Sequence, residues 1–277
     1  MAPKSTPNRA KPKGTLAFTR KLLAWYARAA RDLPWRRTRD PYAIVVSEFM
    51  LQQTQVSRVS EYYPRFLERF PTIGHLARAR PKAVMEAWDG LGYYARARNL
   101  HHLAKEVSGT GYRVPEDPDE LIKLPGVGRY TAGAIACFAY EKPVPAVDTN
   151  VKRVLERVFR AKDVWGLATA IVPKQGQRAW RFNQALMELG ALVCTARAPK
   201  CPECPVRNEC RYWVHPRAGA RGQSNKGRKV HSPRAPARGE KNRLPHHRPR
   251  EQGEQRERAG RRRKDHLPLP EPREAFG

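Results

Sequence analysis

Apolar residues recur at near-helical spacing in several stretches of the chain. Residues 15–31 place six of them at such intervals: Leu16, Phe18, Leu22, Leu23, Trp25 and Tyr26. A second set follows Asp148 and faces away from the charged positions there: Val151, Val154, Leu155, Val158 and Phe159. Because residues three and four apart share one face of an α-helix, both stretches predict amphipathic helices. Residues 45–51, 62–70 and 181–190 are predicted to be helical as well.

The stretch 124–150, LPGVGRYTAGAIACFAYEKPVPAVDTN, combines a glycine turn, an apolar segment and a carboxylate. Gly126 and Gly128 suit a tight hairpin, because glycine tolerates positive φ and lets a partner approach the backbone. Residues 130–140 carry no charge and predict a buried helix, whose free N–H groups at its start form a ready anion site. Asp148 is placed to cap the helix that begins near Asn150. On the local sequence alone, capping and a catalytic role are both open.

The chain is strongly basic, which favours a polyanion as its partner. Lys and Arg number 54 against 26 Asp and Glu among 277 residues, a net charge of +28. Residues 1–213 alone carry 36 basic and 19 acidic residues, so the excess is not confined to one end. A solvated surface does not require this imbalance, whereas nucleic-acid phosphates explain it. The sequence contains neither a run of 18 apolar residues nor a signal-peptide core, which predicts a soluble, intracellular protein.

Both ends of the sequence have a composition that cannot bury a core. Residues 1–14 are rich in Pro, Lys and Ser and predict a disordered basic arm. Residues 214–277 are rich in Gly, Pro, Arg and His and include the run RRRK at 261–264. They predict a disordered basic tail, for which nonspecific DNA affinity and solubilisation are both open roles.

Four of the five cysteines lie within 17 residues in the spacing C-x6-C-x2-C-x5-C: Cys194, Cys201, Cys204 and Cys210. Disulfides are not expected in a chain without a secretion signal. Four clustered thiolates in a proline-containing loop indicate a metal instead, and spacing alone favours tetrathiolate zinc over an iron–sulfur cluster. Cys137 lies in the apolar segment and is predicted to be a small core residue.

Together these stretches resemble a known family. The hairpin LPGVG, followed by a proline-containing loop and Asp148, is similar to the helix-hairpin-helix-GPD signature of the endonuclease III superfamily of DNA glycosylases. The runs SEFMLQQTQV at 47–56 and GLGYYARARNL at 90–100, with the cysteine pattern, narrow the resemblance to MutY-type adenine glycosylases over about residues 33–210.

The resemblance implies an all-α fold of two lobes with the active site between them. One lobe is a helical barrel, residues 38–142, that carries the helix-hairpin-helix. The other joins an N-terminal helix at 15–37 to residues 143–213. In the family, the second lobe holds a 4Fe–4S cluster on four cysteines with this spacing, so the resemblance shifts the expected cofactor from zinc to a 4Fe–4S cluster.

The resemblance also implies catalytic roles. Asp148 matches the aspartate that stabilises the oxocarbenium ion formed as the base leaves, and Asn150 is expected to orient it. Glu48 matches the glutamate that protonates adenine N7, with an exposed helix position as the alternative. A carboxyl group among apolar residues is expected to have a raised pKa and to act as a proton donor. Tyr130 occupies the position where bifunctional members carry a nucleophilic lysine, so base removal without strand cleavage is expected.

Other residues match positions that contact DNA in the family. Gln53, Leu91 and Tyr93 match residues that insert beside the lesion pair, as a base-flipping enzyme requires. Gln184 matches a position near the adenine, with a surface position as the alternative. The remaining predicted contacts to substrate or DNA are Arg36, Thr54, Gly126 and Gly128.

The expected function is therefore that of a monofunctional glycosylase of base excision repair, acting on adenine opposite 8-oxoguanine or guanine in double-stranded DNA. A monomer in the cytoplasm at the nucleoid, without membrane contact, is expected. A thymine or uracil mismatch glycosylase and a non-catalytic DNA-binding scaffold are the alternatives. Many MutY proteins carry a C-terminal Nudix-like domain that helps recognise 8-oxoguanine. Residues 214–277 are too short and polar to be that domain, which leaves the preference for 8-oxoguanine over guanine open.

Overall fold

The computed structural model describes residues 11–214, which form α-helices joined by loops and short 3₁₀ turns. These residues contain no β-strand, so the predicted all-α fold class is confirmed for them. Most of the predicted basic arm and all but the first residue of the predicted tail lie outside the described residues. The helices are α1 (Thr15–Ala29), α2 (Pro41–Leu51), α3 (Val56–Arg69), α4 (Ile73–Arg78), α5 (Pro81–Ala87), α6 (Ala95–Ser108), α7 (Pro118–Leu121), α8 (Arg129–Tyr140), α9 (Thr149–Phe159), α10 (Val164–Ile171), α11 (Gly176–Leu192) and α12 (Arg211–Val214).

Several helices begin at a side chain that can accept a backbone hydrogen bond. Such N-caps satisfy N–H groups that have no partner inside the helix. The capping residues are Asp40, Thr72, Asp117, Asp148 and Asp163. The helices predicted at 15–31, 130–140 and after Asp148 are confirmed as α1, α8 and α9. The short helices α4, α5 and α7 span one or two turns each, too little for a periodic apolar signal.

The helices pack in two groups. α2 packs against α3, α6 and α8, and a fully buried Trp88 meets Phe66 edge to face at 5.8 Å between ring centroids. In the second group, α11 packs against α1 and α9. The ring of Phe18 lies between those of Phe159 and Phe182, at 5.0 and 6.5 Å. Contacts between α8 and α11 join the two groups. In the part of the chain that is described, no helix is long and apolar enough to span a bilayer.

Candidate active site

A cleft of about 990 Å³ is lined by residues of α2, α8, α9, α10 and α11. It brings together the four residues that were predicted to be catalytic: Glu48, Tyr130, Asp148 and Asn150. Half of the residues predicted to contact substrate or DNA also line it: Arg36, Gln53, Thr54 and Gln184. The other four lie on nearby loops outside its lining: Leu91, Tyr93, Gly126 and Gly128.

Asp148 caps α9 from within the cleft. Its Oδ1 accepts a hydrogen bond from the Val151 N–H at 2.6 Å, and its Oδ2 accepts one from Asn150 Nδ2 at 2.9 Å. The predicted capping role is therefore confirmed, and it is compatible with a position in the cleft. Burial raises the pKa of Asp148, although the bonds from Val151 and Asn150 act to lower it. The carboxylate is partly desolvated and held by two donors, an arrangement suited to stabilising a transient cation.

Asn150 is itself held in place by an arginine that sequence reasoning missed. Arg153 Nη2 donates to Asn150 Oδ1 at 2.6 Å and to the Gly190 carbonyl at 2.7 Å, while Arg153 Nε donates to the Cys194 carbonyl at 2.7 Å. Because the Asn150 oxygen accepts from Arg153, its amide NH₂ faces Asp148. The position of the Asp148 carboxylate is therefore connected through two side chains to the start of the cysteine loop.

Glu48 lies in the body of α2 and is 4% exposed. Burial raises the pKa of its carboxyl group to about 7, against the lowering effect of a hydrogen bond with Tyr130. The nearby charge of Asp148 also raises that pKa. Glu48 Oε2 has no hydrogen-bond partner in the described structure. A buried polar atom without a partner is costly, and it is available here to a ligand in the cleft. The exposed-helix alternative for Glu48 is wrong.

The segment that leads to Asp148 is clamped between α8 and α11. Asn183 is 1% exposed, and its Oδ1 accepts from the Ala146 N–H at 3.0 Å while its Nδ2 donates to the Val144 carbonyl at 3.0 Å. On the other side, a Cβ added to Gly133 would lie 2.4 Å from the Pro145 carbonyl oxygen. One buried amide thus satisfies the backbone of a loop that has no strand or helix partner. Sequence reasoning missed Asn183, whose only signal is a polar residue on the apolar face of α11.

Arg36 and Gln184 belong to a buried ionic network. The fully buried Glu188 accepts from Arg31 Nε and from Arg36 Nη2, each at 2.7 Å. Burial acts to raise the pKa of Glu188, but the hydrogen bonds from Arg31 and Arg36 outweigh it and lower the pKa overall. Arg36 Nε donates to Gln184 Oε1 at 2.9 Å, which leaves the Gln184 NH₂ group as the donor available to the cleft. Gln184 is 5% exposed, so the surface alternative for it is wrong.

Two loops hold non-glycine residues in the left-handed region: the loop after α2, which lines the cleft, and the loop before α6. Gln53 has φ 56° and Tyr93 has φ 47°. Both side chains are exposed, Tyr93 by 65%, whereas Leu91 is buried and 5% exposed. Such backbone conformations cost energy in a non-glycine residue and concentrate at functional sites. The structure therefore presents two of the three predicted insertion residues to solvent and packs the third.

The glycine hairpin precedes α8. Gly126 has φ 76°, and a Cβ there would lie 2.8 Å from Asn99 Cβ and 2.9 Å from Phe49 Cε1. Gly128 has extended backbone, with φ −92°, and faces open space. Gly126 is thus required by the turn itself, while Gly128 leaves the first N–H groups of α8 accessible to an anion.

The four clustered cysteines line one cavity, together with apolar residues such as Val193 and Val206. Within residues 11–214, no three His, Cys, Asp or Glu side chains are grouped so that they could hold a metal ion. Arg157 Nη1 lies 3.4 Å from Cys194 Sγ and donates to the Thr195 carbonyl at 2.7 Å. Cys137 is fully buried away from this cavity, and burial raises the pKa of its thiol to about 12, as suits a core residue.

Comparison with known proteins identifies the family of this chain. The family described as HhH-GPD superfamily base excision DNA repair protein matches residues 46–172. An adenine DNA glycosylase of Mycolicibacterium smegmatis is 48% identical over 200 residues, which cover 69% of this chain and 68% of the relative. A thermostable thymine-DNA glycosylase structure shares 32% identity at a TM-score of 0.68, covering 73% of this chain and 97% of that one. A non-covalent endonuclease III–DNA complex shares 26% identity at a TM-score of 0.64, covering 74% and 98%.

The match does not extend over the whole length of most relatives. The chain spans only 36% to 64% of seven further curated adenine DNA glycosylases. The residues that the family model matches include the hairpin, Glu48 and Asp148. The chain therefore belongs to the HhH-GPD superfamily of base excision DNA repair proteins and, within it, to the MutY-type adenine DNA glycosylases.

Proposed function

We propose that this protein is a monofunctional DNA glycosylase that releases adenine mispaired with 8-oxoguanine or guanine in double-stranded DNA. One observation carries the proposal. The buried Glu48, with a pKa of about 7 and one carboxyl oxygen without a hydrogen-bond partner, lies in the same cleft as Asp148, which caps α9. Cleavage of an N-glycosidic bond leaves positive charge on the sugar and negative charge on the base. It therefore needs a carboxylate near the sugar and an acid near the base.

In the proposed mechanism, Glu48 acts in its protonated form. It donates its proton to adenine N7, which turns the base into a neutral leaving group, and the resulting carboxylate then helps to position the attacking water. Asp148 acts in its ionised form beneath the sugar, where it stabilises the oxocarbenium ion. Asn150 holds the Asp148 carboxylate in orientation through the 2.9 Å hydrogen bond between Nδ2 and Oδ2.

Base release without strand cleavage follows from the residue at 130. A lyase needs an amine nucleophile that forms a Schiff base with the sugar. Tyr130 provides a hydroxyl group whose pKa is raised well above its usual value by burial and by the carboxyl groups of Glu48 and Asp148. This hydroxyl stays protonated at neutral pH and does not replace a lysine.

The sequence identities to relatives favour adenine over thymine as the substrate. Proteins named adenine DNA glycosylase match this chain at 39% to 48% identity, whereas the thymine-DNA glycosylase structure matches at 32%. Since the fold is common to both kinds of enzyme, the fold similarity alone does not separate them.

The test is single-turnover base release from duplexes that contain A:8-oxoguanine, A:G, T:G and U:G pairs, with alkali to reveal abasic sites. Adenine release that requires alkali for strand scission is the expected result. Asp148→Asn should abolish release while DNA binding persists, because asparagine still caps a helix but carries no charge. Asp117→Asn is the matched control, since Asp117 is an exposed residue that caps α7. Release of thymine or uracil without adenine would contradict the substrate, and unchanged release by Asp148→Asn would contradict the mechanism.

We further propose that Cys194, Cys201, Cys204 and Cys210 hold a 4Fe–4S cluster. The four side chains line one cavity together with Val154 and Arg157 of α9. A tetrahedral zinc ion draws four sulfurs to about 2.3 Å, whereas a cluster accepts one thiolate at each of its four iron corners. The C-x6-C-x2-C-x5-C spacing and the family membership support the cluster, which would tie the loop to α9 and stabilise the fold. Iron, acid-labile sulfide and zinc analysis of protein purified without oxygen distinguishes the two. Zinc without sulfide would contradict this assignment.

A further inference from the structure

Arg96 occupies an unusual environment for an arginine. It lies in the first turn of α6 and is 7% exposed. Its Nη1 lies within 2.5–3.1 Å of four oxygens: the carbonyls of Phe49, Met50 and Gln52 and the hydroxyl of Thr54. Its Nη2 lies 3.0 Å from the carbonyls of Leu91 and Gly92. The hydrogen-bond partners of this buried cation in the described structure are thus all neutral, whereas buried charges are usually paired with opposite ones.

The six acceptors belong to two separate loops. One set ends α2 and continues into the loop that holds Gln53, and the other set lies in the loop that holds Tyr93. Gln53 and Tyr93 are exposed and both have positive φ, at 56° and 47°. The surrounding structure must hold such conformations, because an isolated non-glycine residue disfavours them. Arg96 is the side chain that contacts the backbone of both loops.

We propose that Arg96 is a positioning residue that fixes loops 52–54 and 91–93 relative to each other, so that Gln53 and Tyr93 enter the duplex as one unit. This inference rests on the proposed glycosylase function. The planar guanidinium suits the role because it directs several N–H groups at once toward the two loops. A lysine at this position keeps the charge but offers a single nitrogen, which reaches one loop at a time.

The contacts favour this role over simple support of α6. Arg58 Nε donates to the Gly90 carbonyl at 2.8 Å, and Trp88 Nε1 donates to the Gly92 carbonyl at 3.2 Å. The 89–93 loop is therefore also anchored to α3 and to Trp88. Only the Arg96 head group joins it to residues 49–54 among the hydrogen bonds of residues 11–214. The backbone N–H of Arg96 also donates to the Tyr93 carbonyl at 2.9 Å. The Arg96 guanidinium lies 5.7 Å from the centroid of the Tyr93 ring.

The experiment is a double-mutant cycle on the full chain with Arg96→Lys and Tyr93→Ala, using A:8-oxoguanine duplex under single-turnover conditions. The concentration of active sites is first measured from the burst amplitude with DNA in excess, and active enzyme is then kept in excess over DNA, so that loss of folded protein does not change the rate. We expect Arg96→Lys alone to lower the rate at least about tenfold. In the Tyr93→Ala background the same change should lower it less than about threefold, because the positioned side chain is already missing. Independent losses that multiply would overturn the proposal.

A second substrate separates positioning from general damage to the active site. When the adenine lies opposite an abasic-site analogue, it is unpaired and its extrusion costs less. Arg96→Lys should therefore slow release from this substrate much less than from the paired one, and an equal loss on both would overturn the proposal.

The matched control is Arg65→Lys, which changes an exposed arginine paired with Glu61 on α3 and should retain the wild-type rates. Thr54→Val removes one acceptor without adding strain to α6, and it should give a smaller loss that is not additive with Arg96→Lys. If the wild-type chain releases no adenine at all, the proposed function itself fails, which is a distinct outcome from wild-type release with independent losses.

Discussion

The hydroxyl of Tyr130, at the start of α8, and the carboxyl group of Glu48, in the body of α2, lie in the same cleft and shift each other's pKa. The two groups influence each other in opposite directions. The hydroxyl lowers the pKa of Glu48 against the raising effect of burial, and the carboxyl group helps to raise the pKa of Tyr130. The outcome is a carboxyl group with a pKa of about 7, close to the value at which a group both holds and gives up a proton at neutral pH.

Replacement of Glu48 by glutamine should stabilise the fold at alkaline pH. The pKa of Glu48 is raised from 4.5 to about 7 in the folded state, so the folded state binds its proton more tightly than the unfolded one. Wild-type stability from this group is fully present below about pH 4.5 and is lost as the pH rises through about 7. Glutamine does not titrate, so the gain of Glu48→Gln over wild type should grow between pH 5 and pH 8, toward an upper limit of about 3 kcal/mol. Urea unfolding at both pH values measures it.

The control for this prediction is Glu68→Gln, because Glu68 is exposed on α3. Its effect on the free energy of unfolding should be small. A gain for Glu48→Gln that is equal at pH 5 and pH 8 would contradict the raised pKa. The same variant should lose base release by roughly 10²–10⁴-fold, since general acid catalysis is removed.

Removal of the Tyr130 hydroxyl should shift the pH dependence of base release. In Tyr130→Phe the ionised form of Glu48 loses a hydrogen-bond donor, so the pKa of Glu48 should rise. The rate depends on protonated Glu48, and it should therefore fall at a higher pH than in the wild type, where the fall is centred near the pKa of about 7. Single-turnover rates between pH 5 and pH 9 measure this limb. Tyr140→Phe removes a hydroxyl that bonds the Val114 carbonyl outside the cleft, and it should leave the limb unchanged.

Two glycines of the hairpin should respond differently to alanine. Gly126→Ala forces a φ of 76° on a residue with a Cβ and places that atom 2.8 Å from Asn99 Cβ. It should lower the free energy of unfolding by about 1–3 kcal/mol. Gly128→Ala meets no atom within 4 Å and keeps an ordinary backbone conformation, so the fold should tolerate it.

DNA affinity completes the comparison. If the start of α8 binds a phosphate, the methyl group of Gly128→Ala should weaken DNA binding while thermal stability stays close to wild type. Fluorescence anisotropy with a labelled duplex and a thermal melt of the same sample separate the two effects. Unchanged DNA affinity in Gly128→Ala would contradict a phosphate site at this turn.

Substitution of Asn183 should impair catalysis through Asp148. Asn183→Leu keeps the approximate volume of the side chain but leaves the Ala146 N–H and the Val144 carbonyl without their partners. It should cost about 2–5 kcal/mol of stability, since each unsatisfied buried group costs roughly 1–3 kcal/mol. Below the unfolding transition, the rate of base release should fall at least about tenfold while DNA affinity is retained.

Asn183→Asp is a second variant that tests the same contact. Aspartate keeps the oxygen that accepts from Ala146 but loses the NH₂ group that donates to Val144. Because it also buries an unpaired carboxylate against the Val144 carbonyl, its stability and rate at neutral pH should fall at least as far as those of Asn183→Leu. Equal rates in all three proteins would show that the 144–146 segment does not depend on this amide to place Asp148.

Much of the site could be predicted from the sequence, because the features that indicate it are local. The cap at Asp148, the hairpin glycines and the apolar helix α8 each depend on residues close together in sequence, and the structure shows all three. Amphipathic spacing likewise predicts α1 and α9, since a helix buries one face wherever its partner comes from. The family resemblance then connected these local features to a chemistry. It did not indicate which residues keep the features in place.

The roles of Arg96, Asn183 and Arg153 depend on contacts between distant segments. Each is a polar residue of ordinary appearance, and each satisfies backbone or side-chain atoms far away in sequence: loops 52–54 and 91–92, the 144–146 segment, and Asn150 with Cys194. Burial likewise raises the pKa of Glu48, because α2 packs against α3, α6 and α8 around it. Local sequence specifies caps, turns and helix faces, but desolvation and long-range hydrogen bonds exist only once the helices pack together. For that reason the two carboxylates proposed to be catalytic could be named from the sequence and its family resemblance, while their protonation and orientation required the fold.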